Sequence, residues 1–187
     1  MSEIKVDKLS PQSGVALEIG DSGDTITCSG TPVGFGGGKV LQIYILENTS
    51  THTTSTTFAN GTTLPTLTDG ASLFDAAEFT PTNSSSKILV EAYVVTSGTT
   101  GGHATVWMCK DSDSNAVAVS AAKSNTDYTE IQKMTYWEDA SDTSGRTFKL
   151  RFANNSSGRV TTVNMNHSGS HTWGGLRSYI HITEYAT

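Results

Sequence analysis

From Lys39 onward the chain is a series of short runs in which apolar and polar side chains alternate with a period of two, the spacing of a strand that buries one face. Nine such runs are predicted as strands: 39–47, 53–58, 87–97, 103–111, 115–122, 131–139, 146–152, 160–166 and 177–185. In "RTFKLRF" the pattern is plainest, with Phe148, Leu150 and Phe152 on one side and Lys149 and Arg151 on the other. Between the runs lie turn clusters such as "SGTTGG", "DASDTSG" and "NNSSG". No helical period of useful length appears, and the expected fold is all-β, an antiparallel sandwich or jelly roll. One stretch departs from this. Leu64 to Ser86 is too long for a hairpin turn, and "SLFDAAEF" within it is predicted as a single helical turn capped by Ser72 on an ordered surface excursion.

A different texture precedes Lys39. The glycine run "GFGGGK", 34–39, favours a flexible joint, so residues 1–38 are expected to form an arm and 39–187 a β-sandwich head. Within the arm, "VALEI" alternates Val15, Leu17 and Ile19, and "TITCS" repeats the alternation with Ile26 and Cys28. Two very short strands in a tight reversal, turning at "GDSGD", fit this spacing. The arm's apolar residues, Phe35 among them, are too few to offset the entropy of ordering 38 residues. It is therefore expected to fold against copies of itself about a symmetry axis or against another protein.

Composition narrows the function. Of 187 residues, 35% are hydrophobic and 16% charged, with Ser, Thr, Asn and Gly making up the difference, which suits a turn-rich β protein. A net charge of -6 and scattered Lys and Arg argue against a nucleic-acid partner. There is no run long enough to insert in a membrane, and "MSEIKVDKLSPQSG" lacks the apolar core of a signal peptide, so synthesis in a cytoplasm is expected. Cys28 and Cys109 fall in separate parts of the chain and are read as free, partly buried thiols.

Candidate chemistry is sparse. "DSDSN", 111–115, begins like a calcium loop, but Ala116 and Ala122 stand where glycine and glutamate would be needed, so a solvated turn is expected rather than a cation site. "HSGSH" places His167 and His171 four apart on a Gly/Ser loop with no Cys or carboxylate nearby in sequence, and no metal or cofactor is expected. Glu130, Glu138 and Asp139 lack the spacing of a glycosidase carboxylate pair. Phosphate and dinucleotide loops and a nucleophile elbow are missing, so the chain is read as a non-enzyme. What remains is aromatic. Trp107 and Trp137, on strands, are expected in the core, whereas Trp173 in "SGSHTWGGLR", with His171 and Arg177, could contact a ligand such as a sugar ring.

The arm motifs "MSEIKVDKLSPQSG", "LEIGDSGDTIT" and "GFGGGKVLQI", followed by "FTPTNSSSKILVEAYV" and the closing "RSYIHITEYA", resemble a group of tailed-bacteriophage virion proteins labelled tail-fibre or structural proteins in phages of aquatic bacteria. Cys28, where a β-branched residue is usual, and the 64–86 excursion depart from that pattern. The resemblance implies a non-enzymatic, homotrimeric virion component made in the bacterial cytoplasm. Val15, Leu17, Ile19, Ile26, Cys28 and Phe35 would form the trimer or virion interface, against tail proteins or the major capsid protein. A short fibre whose head contacts a host-surface glycan is the first expectation. A capsid decoration protein whose arm holds coat subunits together is the alternative.

Overall fold

The computed structural model describes residues 39–58, 63–169 and 175–187. Among them are ten β-strands and no helix. In chain order they are β1 (Val40–Asn48), β2 (His52–Thr54), β3 (Ala71–Phe79), β4 (Lys87–Gly98), β5 (His103–Lys110), β6 (Ala118–Lys123), β7 (Glu130–Asp139), β8 (Arg146–Asn154), β9 (Thr161–Val163) and β10 (Ser178–Tyr185). Every run predicted from the alternation carries a strand. The 53–58 run is shortened to β2 plus a parallel bridge from Thr57 to Asn154.

The pairings give a jelly roll. β1 pairs with β10, β3 with β8, β4 with β7 and β5 with β6, all antiparallel, as if one long hairpin had been folded over on itself. Cross-pairing of β10 with β4 and of β8 with β5 completes two sheets, β1-β10-β4-β7 and β3-β8-β5-β6. At the far end of the first sheet, β9 pairs with β4 at Thr96–Gly98 and with β2 on its other side, which extends the sheet beyond β10. Asn164, at a left-handed φ of 59°, fixes that junction. Its amide donates to the carbonyls of Asn48 and Ser50 (2.8 and 3.0 Å), and its carbonyl oxygen accepts from Ser178 Oγ (2.8 Å).

Between the sheets lies the core. Ile88, Val90, Ala92 and Val94 of β4 and Ile180 and Ile182 of β10 face Val106 and Met108 of β5 and Phe148, Leu150 and Phe152 of β8. These are the inward positions of the alternation, including the three predicted on β8.

The structure corrects the helical turn expected at "SLFDAAEF". The Ser72 hydroxyl does reach residue 75, but it donates to the Asp75 carboxylate, whereas a cap would accept from a backbone N–H. The segment runs as β3 along β8, from Ala71 opposite Phe152 to Phe79 opposite Arg146. Pairing with an open sheet edge, and burial of Leu73, Phe74, Ala77 and Phe79, outweigh the local preference of its Asp, Ala and Glu residues for other conformations. The 64–86 excursion is thus three pieces: a covering segment, an edge strand and a tight turn.

That turn, Thr80 to Ser86, is tied down by one buried acid. Glu184 of β10 is fully buried and accepts from the backbone N–H groups of Thr82 (3.0 Å) and Asn83 (3.1 Å), from the hydroxyls of Thr82 (2.9 Å) and Ser86 (2.5 Å), and from Gln42 Nε2 (2.8 Å). Burial opposes the charge, but these donors outweigh it and hold the carboxyl down at about 2.

Candidate functional site

The two sheets differ in what lies outside them. On the β3-β8-β5-β6 sheet, the outward-facing Trp107 and Cys109 are buried beneath the chain's own Phe58 and residues 63–70. Phe58 packs on the Trp107 ring at 5.7 Å between centroids, Leu67 joins them, and the indole N–H donates to the carbonyl of Thr66 (3.0 Å). Gly70, at φ 64°, brings the chain so close that a Cβ there would sit 2.4 Å from the indole. Cys109 is a free thiol in this second cluster, and burial pushes its pKa up.

The opposite outer face, on β1-β10-β4-β7, carries no such cover among the described residues. Register places its side chains in rows: Ile43, Thr183, Leu89 and Trp137 in one; Ile45, His181, Glu91 and Thr135 in the next; then Glu47, Tyr179, Tyr93 and Lys133. Ile43 (58% exposed), Ile45 (57%) and Trp137 (55%) stand in water at the two edges. Tyr93 and Tyr179 stack on one another at 4.8 Å, and Trp137 leans on Tyr185 at 6.0 Å. A shallow open depression lies beside Trp137, lined by Lys87, Glu138 and Asp139. Apolar residues grouped on a wet face in this way mark a contact surface.

Each cation of this face is matched by an acid. Lys87 pairs with Asp139 (2.6 Å), Lys133 with Glu91 (2.6 Å) and Arg177 with Glu47 (3.2 Å). His181 Nδ1 lies 3.8 Å from the other oxygen of Glu91. Lys133 also sits over the Tyr93 ring, 5.1 Å from its centroid, and its bond to Glu91 raises its pKa. The face is therefore charge-balanced inside a chain of net charge -6.

The residues singled out in the sequence fall as follows. Trp107 is buried as expected, whereas Trp137 is not, because β7 turns Gln132 and Met134 inward and position 137 has the opposite parity. Arg177 is half exposed and bound to Glu47. His171, Trp173, Cys28 and the interface residues Val15, Leu17, Ile19, Ile26 and Phe35 lie outside the described residues. Asp111, at φ 49°, uses Oδ1 to accept from the Thr147 N–H (2.7 Å). Glu138 and Asp139, adjacent on β7, point to opposite faces. His167 is half buried, with Nε2 3.4 Å from Thr99 Oγ1.

Glu138 was visible in the sequence only as a strand-border acid, yet it organises the inward end of β7. Arg146 Nε lies 2.8 Å from one oxygen and Lys110 Nζ 2.6 Å from the other, and Tyr136 donates to it (3.1 Å). Burial, with Glu138 second, pushes the Tyr136 hydroxyl up to about 12. Arg146, itself buried, also donates to the carbonyl of Ala140. Arg146→Met should cost about 2 kcal/mol in a urea melt, because Lys110 and Tyr136 still hold the acid. Combining it with Glu138→Leu should recover part of that loss; a fully additive double variant would show that the two side chains do not act as a pair.

No family model and no curated protein matches the chain. Among solved structures it is similar to that of the infectious bursal disease virus Gx strain, at 14% identity and a TM-score of 0.36, over 76% of this chain and 36% of that one. It is similar to infectious bursal disease virus VP2 in a subviral particle, at 15% identity and a TM-score of 0.36, over 87% of this chain and 42% of that one. A third similarity is to the carbohydrate-binding module CBM36 in complex with calcium and xylotriose, at 14% identity and a TM-score of 0.32, over 73% of this chain and 99% of that one. The chain spans well under half the length of the viral chains it matches.

Proposed function

We propose that the chain is a non-enzymatic structural component of a bacteriophage virion, a short homotrimeric fibre attached through residues 1–38, with the jelly-roll head directed outward toward the host surface. The observation that carries this reading is the bare, charge-balanced face of β1-β10-β4-β7, with Ile43, Ile45 and Trp137 exposed at its margins, set against the other sheet, which the chain covers for itself. A surface of that kind serves packing rather than catalysis. The acids agree with it. Glu184 and Glu138 are bound up in holding turns and strands, and Glu91 and Asp139 are paired to lysines. The sequence resemblance supplies the virion, the bacterial cytoplasm as the place of synthesis, and tail proteins as the partner of the arm. Host contact would fall to His171, Trp173 and Arg177, with a surface glycan as ligand.

Electron cryomicroscopy of the intact phage tests this. Density for residues 1–38 on tail proteins, with three-fold heads standing off the particle, is the expected result. Density spread over the major coat protein at local symmetry axes would replace the fibre with a capsid decoration protein.

A further inference from the structure

Resting on the trimeric reading above, we propose that the heads touch one another heterologously: Ile43 and Ile45 at the β1 edge of one protomer pack on Trp137 at the β7 edge of the next, and the contact repeats around the axis. These are the most exposed large apolar groups in the two rows that run across the face, and they sit at its opposite margins. Three strand spacings separate β1 from β7, about 14 Å. A surface with exposed apolar side chains at both margins is suited to a ring, in which each copy offers one margin and receives on the other.

Two alternatives fail on energy. Stacking two copies face to face would take Lys133–Glu91 and Lys87–Asp139 out of water, and desolvating paired charges is seldom repaid. Lys133 and Asp139 stand on β7 to either side of Trp137 and reach in toward Glu91 and Lys87 on β4, so an edge contact centred on the indole leaves both pairs partly in water. A strongly charged partner would find no field to answer here, since the face's ion pairs cancel. Copies of a chain with net charge -6 repel one another, and a face balanced within itself is where they approach most cheaply.

Connectivity points the same way. Residues 1–38 run into β1 through Lys39, whose carbonyl accepts from the Ala186 N–H (2.8 Å) and so fixes the point of entry beside that edge. Association of three arms therefore tethers three β1 edges in one assembly through the 34–39 joint. The margin residues offer on the order of 100 Å² each, well below the roughly 800 Å² per partner of a self-sufficient interface. The head contact therefore adds to the arm's association and does not replace it.

Crosslinking of the full chain tests the arrangement. In a Cys28→Ser background, with Cys109 left in its buried site, Ile45→Cys and Thr135→Cys are introduced together and singly and treated with a short bis-maleimide. Thr135 is exposed and shares the row of Ile45, one pleat from Trp137. The double variant should give covalent trimers and each single variant none, and adding Trp137→Glu should reduce the trimer yield several-fold. Covalent dimers from Ile45→Cys alone would mean a face-to-face contact and overturn the proposal. So would the absence of any product. Light scattering on the same untreated samples separates the two readings: a trimer that does not crosslink leaves the arm-based trimer standing, whereas a monomer removes both.

Discussion

Glu184→Gln should lower stability at pH 7 by about 3 kcal/mol, although it removes no carbon and changes the shape of the side chain very little. The carboxylate accepts on both oxygens. Oε1 takes Asn83 N–H and Ser86 Oγ, Oε2 takes Gln42 Nε2 and Thr82 Oγ1, and Thr82 N–H lies 3.0 Å from each. Whichever oxygen becomes an amide nitrogen, it faces Thr82 N–H and at least one further nitrogen donor. Hydroxyls can rotate to accept, and the Gln42 amide can flip only by giving up its bond to the Thr80 carbonyl, but backbone N–H groups cannot turn.

The same site gives the pH dependence its sign. A folded pKa of about 2 against an ordinary 4.5 means that the stabilisation is fully present above about pH 4.5 and is lost as pH falls through about 2. The whole effect is about 3 kcal/mol, of which about 2 kcal/mol is gone by pH 3. Unfolding free energies of the parent and Glu184→Gln from urea melts should therefore converge by about 2 kcal/mol between pH 7 and pH 3. A gap that stays constant with pH would mean that the charge on Glu184 contributes nothing.

Trp107→Ala should cost more, about 4 kcal/mol, and its damage should be local. The ring fills the space between the outer face of β5 and its cover, where it meets Phe58, Leu67, Cys109 and Ala116. Removing it leaves a cavity and frees the Thr66 carbonyl. The main core between the sheets does not include this residue, so the jelly roll should still form. Protease should instead reach residues 63–70 many times faster than in the parent. A loss below about 1.5 kcal/mol would mean that the covering segment is held by something other than this indole.

How much of this could be read from the chain follows from what each residue needs. Nine strands were legible because each buries one face, and a period of two survives wherever a strand is regular. β3 was not, because register shifts between Ser72 and Phe74 and between Phe74 and Ala77 break that period, and Asp75 and Glu78 look outward where a helix would also put them. Glu184 could not be singled out. Its alternation with Ile180 and Ile182 marks it as inward-facing, yet nothing near it in sequence announces the donors that make its burial tolerable, since Thr82, Asn83 and Ser86 lie about a hundred residues away.

The two strand tryptophans draw the line most clearly. Parity alone assigns both to outer faces: Trp107 lies between the inward Val106 and Met108, and Trp137 has the opposite parity to Met134. The sequence by itself therefore determined nine of the ten strands and their inward residues, while the core position expected for both indoles ran against the parity of their neighbours. Only the tertiary structure decided that one is buried and the other bare, because cover comes from a segment that crosses the β3-β8-β5-β6 sheet and, among the described residues, none crosses the other. Alternation records which way a side chain points, and burial depends on what the rest of the chain brings to meet it.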